Sequence, residues 1–166
     1  MADTTLILSA FRRNARVNTV LLSTMTSADL DINDSRGGWS VGQHLGHLAG
    51  FRAGWLSHIS PAHASGLPEV VAGTEENFWL TTRDVAQLAH ALDKGDEAAL
   101  NAVQAALDEG RGFEGVYTSH PTGFLMHTVV HDSHHRGQIM SLLRQGGRSP
   151  EEMDALDRRT WAIWRE

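Results

Sequence analysis

Cysteine is missing from this chain, tyrosine occurs once, and Lys94 is the lone lysine. Without cysteine there can be no disulfide, no zinc–thiolate site and no cysteine nucleophile. Any thiol chemistry must therefore draw on a thiol supplied from outside. Positive charge is also scarce. Fourteen basic residues against 20 acidic ones leave a net charge of −6, which is no electrostatic footprint for DNA or RNA. The arginines are scattered and read as compositional bias rather than as a phosphate-binding signal. No apolar run approaches the ~18 residues of a membrane-spanning helix, and the first residues, Met1 to Leu8, lack the basic start of a secretory signal. The expectation is a soluble, cytoplasmic protein that handles a small molecule, not nucleic acid or a membrane.

What is present suits an ordinary globular chain. At 166 residues it reads as a single domain, 1–166, long enough to bury roughly two-thirds of its unfolded surface. Apolar residues recur at helical spacing from about Leu6 to Met25, and Asn14 and Asn18 sit one turn apart on that segment. The two asparagines either line an interior polar site or, with no partner in view, sit on a solvated face, and the solvated face is the expected setting. A polar loop from Asp29 to Gly38 precedes a capping box, Ser40 with Gln43, and a helix from Val41 to about Ile59. Trp39 is placed to pack on its first turn. Gly42, Gly46, Gly50 and Gly54 recur every four residues along this helix. Each costs about 1 kcal/mol against Ala, so the row predicts another helix packed very closely.

Pro61 to Gly73 reads as a loop with His63 exposed, and Phe78 and Trp79 as a short helix or a pocket wall. Thr82 to Leu107 is helical in pattern, with Gly95 predicting a kink or a break. Gly110 to Thr118 reads as an extended excursion with at most a short hairpin. A long helix follows from Pro121 to Gln145, closed by Gly146-Gly147. Ser149-Pro-Glu-Glu is a second capping box, opening a last helix to about Trp164. The fold class expected is all-α: a four-helix bundle with an additional C-terminal helix and long connecting loops.

The chemistry gathers on the long helix from Pro121. His127, His131 and His135 are each one turn apart on one stripe, between apolar flanks. Imidazoles lined up on a buried face resist protonation, and a divalent metal is a strong candidate to satisfy their nitrogens. The alternative for each is a carbonyl or carboxylate partner. A second pair, His44 and His47, lies on the earlier apolar helix. Three neutral imidazoles converging from two helices would leave a coordination position free, as in a catalytic site. No Glu stands beside His131 in the His-x-x-x-His segment, which argues against a zincin protease. Asp132 is expected to pair with Arg136 at i+4. His134 reads as a surface or supporting residue, His127 as a fourth ligand or a donor behind the ligands, and Gly137 as a place for a neighbouring helix to approach.

Trp39-Ser-Val-Gly-Gln-His-Leu-Gly-His47-Leu-Ala, then Trp55-Leu, then His131-Asp-Ser-His-His135-Arg-Gly-Gln138-Ile and finally Leu143-Arg-Gln-Gly resemble the DinB/YfiT-like superfamily of bacterial four-helix bundles. The resemblance extends over nearly the whole chain, Asn14 and Asn18 included. It implies a three-histidine metal site with His47, His131 and His135 as ligands and His44 as a neighbour. An acidic residue common in the family one turn after the second-helix histidine is replaced here by Phe51-Arg52. The resemblance further implies a homodimer and a divalent-metal-dependent enzyme, a thiol S-transferase using an external low-molecular-weight thiol such as bacillithiol or mycothiol, or a hydrolase activating water. The other implied reading is a non-catalytic metal-binding module associated with DNA damage or stress that does not bind DNA. Imidazole ligands suit zinc, nickel, copper and iron; zinc or nickel is expected. The sequence assigns no catalytic residue beyond the ligands.

Overall fold

The structure is a computed structural model and describes residues 4–74 and 77–166. The elements are α1 (Thr5–Leu22), a 3₁₀ turn (Asp29–Asp31), α2 (Val41–Ile59), α3 (Pro61–Ala64), β1 (Val71–Gly73), β2 (Phe78–Leu80), α4 (Val85–Asp108), α5 (Thr122–Gln145) and α6 (Pro150–Trp164). Helix α2 packs on α4 and α5, while α1 packs on α4, α5 and α6. The architecture is the expected all-α bundle with an extra C-terminal helix, α6, laid mainly against α1.

Both capping boxes form. Ser40 Oγ accepts from Gln43 N while Gln43 Oε1 accepts from Ser40 N, and Ser149 and Glu152 reciprocate in the same way. These fix where α2 and α6 begin, and each anchors one end of an element that carries the core. Helix α4 starts from Asp84, whose side chain accepts from Ala86 N.

Several sequence expectations are corrected. Of the two forms expected around Gly95, the break into two helices does not occur: α4 is one helix through that residue. There the missing side chain makes room for Arg52, whose Cβ would lie 3.0 Å from a Cβ at residue 95. The glycine row on α2 does admit a close neighbour, but it is not a helix. Cβ atoms at Gly42 and Gly46 would come within 2.7 and 2.6 Å of Leu80, and one at Gly46 within 2.7 Å of Val71. The intruder is an antiparallel hairpin, β1 with β2, paired Val71 to Leu80 and Gly73 to Phe78. Strands of only three residues each give little periodic signal, which is why Phe78 and Trp79 are ambiguous in the sequence. The loop expected after Pro61 contains the one-turn helix α3, where His63 is half-buried and bonded to Ser60 Oγ at 2.8 Å. No strand forms among the described residues of 110–118. Gly137 is exposed, with nothing near a Cβ built on it.

The apolar core falls into two clusters. One contains Leu21, Leu45, Leu48, Leu88, Leu92, Ile139 and Leu143; the other contains Phe11, Leu56, Ala99, Val103, Phe113, Phe124 and Leu125. Where they meet, each of the four long helices contributes a polar residue: Asn14 and Asn18 from α1, Arg52 from α2, Asp96 from α4 and Asp132 from α5. All five are at most 5 % exposed. The solvated face expected for Asn14 and Asn18 is therefore wrong: their side-chain amides donate to Asp132 Oδ2 at 2.6 and 2.7 Å.

Asp132 does not pair with Arg136 as expected. Arg52 takes it with two near-parallel bonds, Nη1 to Oδ1 at 2.7 Å and Nη2 to Oδ2 at 2.6 Å. Arg52 also donates from Nε to Asp96 Oδ1 at 2.8 Å and from Nη1 to the Leu48 carbonyl at 2.9 Å. Arg136 turns instead to Asn14 Oδ1 and Asn18 Oδ1. The arginine at i+4 loses to one from another helix because Arg52 is wholly buried and has no water to fall back on. Burial would lower Arg52 and raise Asp132, but their attraction outweighs it: the guanidinium is held above its ordinary pKa and the Asp132 carboxyl well below the usual carboxylate range. Asp96, the second carboxylate on the same cation, is pushed up to about 6 by burial and by Asp132.

Candidate metal centre

The polar layer sets the position of α5 against α2, and His131 is the residue just before Asp132. The neighbouring turns carry the histidines. His44 and His47 are one turn apart on α2; His131 and His135 are one turn apart on α5. Ligand nitrogens of His47, His131 and His135 all lie within 4.8 Å of one another. The two closest identified are Nε2 of His47 and Nε2 of His131, 3.0 Å apart. Ligand nitrogens about 2.1 Å from a zinc ion stand roughly 3.4 Å apart at the tetrahedral angle, so these spacings bracket what one ion needs.

The chemistry of the donors fits as well. A cation requires neutral imidazoles. Burial, then the neighbouring rings, lower His47 to about 4 and His135 to about 3. These two are held in the ligand form across the neutral range. His131 Nδ1 is the one buried side-chain nitrogen or oxygen among the described residues with no hydrogen-bond partner. It stands 3.8 Å from Asp132 Oδ1.

Aromatic rings wall the cluster. Phe51 stacks on His131 with ring centres 3.8 Å apart, and Trp39 lies parallel to His135 at 5.9 Å. Trp39, expected to pack on the first turn of α2, does more: it touches His44, His47 and Phe78 too. His44, buried and one turn before His47, meets His135 with Nδ1 atoms 2.9 Å apart. His127 is exposed and not in the cluster; its Nδ1 meets the Tyr117 hydroxyl at 2.5 Å. His134 is also exposed and bonds Gln138.

Beside the histidines lies a cavity of about 600 Å³. His47, Phe51, Trp55 and His58 of α2, Phe78 of β2, and the β1 segment Val71–Gly73 with Thr74 line it. Gly50 and Gly54 give it a bare stretch of helix as one wall; at Gly54 a Cβ would meet nothing within 4 Å. The glycine row thus has two uses. Its first half admits the hairpin, and its second half borders the cavity.

Arg52 and Asp96 were not singled out as partners in the sequence, although a signal existed. Arg52 occupies the stripe of Leu45, Leu48, Leu56 and Ile59, and Asp96 that of Leu92, Ala99 and Val103, positions that otherwise hold core residues. A charge in a core register needs an opposite charge on a facing element.

Fold and site together define a helical bundle in which three histidines from two helices converge in a geometry able to hold one metal ion. The DinB family model matches residues 1–166, the whole chain, and the protein belongs to the DinB family. No curated protein and no solved structure matches it. No helix among the described residues is long and apolar enough to cross a membrane.

Proposed function

We propose that the protein is a divalent-metal-dependent enzyme that activates a low-molecular-weight thiol, with water as the nearest variant, for attack on a small-molecule electrophile. His47, His131 and His135 would hold the ion; zinc or nickel is the expected metal, although imidazole ligands by themselves suit copper and iron as well. The observation that carries this reading is the cavity of about 600 Å³ into whose wall His47 enters. A purely structural zinc is closed in by four protein ligands, whereas three imidazoles beside a cavity suit a site that admits a reactant. A divalent ion bound there supplies a Lewis acid that favours the ionised form of a thiol or water near neutral pH.

The chain's own residues have distinct tasks in this scheme. His47 and His135, held neutral by burial, stay available as ligands. Phe51, Trp55 and Phe78 present apolar surface to the electrophile and keep water away from it. His58 and Thr74 offer polar contacts at the same cavity. The sulfur forms the new bond, its proton passes to solvent, and the leaving group departs with the bonding electrons. Because the chain has no cysteine, the thiol enters with the reactants.

The test is turnover by zinc- or nickel-loaded protein with a thiol panel (glutathione, cysteine, bacillithiol, mycothiol) and a chromogenic aryl halide. Product should require the metal and a thiol, and should be lost in His47→Ala, His131→Ala and His135→Ala. Variants that kept both metal and turnover would end this reading.

A further inference from the structure

His44 is the buried histidine that the triad leaves unused. It is 4 % exposed, it sits one turn before His47 on α2, and its Nδ1 lies 2.9 Å from Nδ1 of His135. Two neutral imidazoles can share that distance in only two ways, because one nitrogen must carry the hydrogen and the other the lone pair. If His44 donates, His135 carries its own hydrogen on Nε2 and has no lone pair free for a metal. If His135 donates, its Nε2 lone pair is free, and the hydrogen of His44 moves to Nε2. His44 also lines a separate cavity of about 190 Å³ with Trp39 and Gln138, so that hydrogen need not be buried unpaired. Trp39, parallel to His135 and tilted against His44, holds both rings in place.

We propose that His44 is a positioning residue for the metal centre: its Nδ1 accepts the Nδ1–H of His135, which fixes the tautomer and ring orientation of His135 and presents Nε2 as the ligand nitrogen. The inference rests on the metal reading above, yet it makes a claim about the metal-free chain as well. A ligating histidine almost always donates its other N–H to a fixed acceptor, and loss of that acceptor typically costs 10- to 100-fold in metal affinity. Here the acceptor is a second imidazole from a different helix. The bond therefore also ties α2 to α5 at the site.

Two measurements test it. In metal-free protein, long-range ¹H–¹⁵N correlations report the tautomers directly; His135 should carry its hydrogen on Nδ1 and His44 on Nε2. The opposite assignment would overturn the proposal whether or not any metal binds. In parallel, zinc affinity is measured by chelator competition for the parent, His44→Phe and His44→Gln, with circular dichroism to confirm folding. His44→Phe should bind zinc about 10- to 100-fold more weakly, and His44→Gln, which keeps an acceptor oxygen, should recover most of the loss. Parental affinity in a folded His44→Phe would refute the positioning role. A parent that binds no zinc would instead sink the proposed function, leaving the tautomers to decide the hydrogen bond.

Discussion

Arg52→Met is the substitution whose consequences can be worked furthest. Methionine roughly fills the aliphatic part of the arginine, so the lost guanidinium dominates the change. Arg52 is wholly buried, Asp132 is wholly buried and Asp96 nearly so, so solvent does not screen these charges. Removing the cation leaves two carboxylates facing each other between two apolar clusters. Breaking a buried pair by deleting one partner costs about 3–5 kcal/mol, against a total stability of about 5–15 kcal/mol for a domain. At about 2–4 °C per kcal/mol for a chain this long, the midpoint should fall by roughly 6–20 °C. The loss should also depend on pH. Without Arg52 the carboxyls bind protons more tightly folded than unfolded, so stability declines as pH rises from the unfolded value near 4 through the raised folded one. The variant should accordingly be closer to the parent at pH 5 than at pH 8. Urea unfolding at both pH values, with scanning calorimetry, supplies the numbers. A variant within about 1 kcal/mol of the parent at pH 8, or one whose deficit ignores pH, would refute the account of the polar layer.

Other expectations follow from single features. Gly54→Ala should stabilise α2 by up to about 1 kcal/mol, since its Cβ meets nothing, whereas Gly54→Leu should narrow the cavity and lower kcat/KM with the fold intact; unchanged turnover would remove Gly54 from the reactant cavity. Gly46→Ala should cost about 1–3 kcal/mol by pressing Leu80 and Val71 outward, read as a drop in urea midpoint. Ser40→Ala should cost about 1 kcal/mol through loss of the α2 capping box; a neutral result would show the cap to be redundant. For the metal-free protein, His47 and His135, at about 4 and about 3 against an ordinary 6.5, bind protons less well folded than unfolded. Their contribution is present above pH 6.5 and is lost as pH falls toward 3, while Asp96, pushed up to about 6, opposes them between about 4 and 6. Urea midpoints measured from pH 8 to pH 3 should decline, and a flat profile would contradict the burial of the two rings.

How much of this was legible in the sequence depended on whether a feature is local. Capping boxes at Ser40 and Ser149, the i, i+4 histidines on α5 and the helix boundaries of α2 are written within a few residues, and they are where the sequence places them. Partner choice across helices is not local. Asp132 had a suitable arginine at i+4 and still took Arg52 from another helix, because only the full packing reveals which guanidinium is cut off from water. The glycine row showed that something comes close to α2, but the neighbour's identity lay in a short hairpin too small to announce itself. Gly95 looks like an interruption in one dimension and proves to be the clearance for Arg52 in three. His44 was legible as a neighbour of the site, while its contact with His135 depends on how α2 and α5 dock.

The central claim is that His47, His131 and His135 act together as a metal site, and metal content tests it most directly. Protein purified without chelators and loaded with zinc or nickel, then exhaustively dialysed, is measured by inductively coupled plasma mass spectrometry alongside the three single alanine variants. The account expects one tightly held ion per parent chain and its loss from each folded variant. Equal metal content in parent and variants, or none in the parent after loading with either ion, would contradict it.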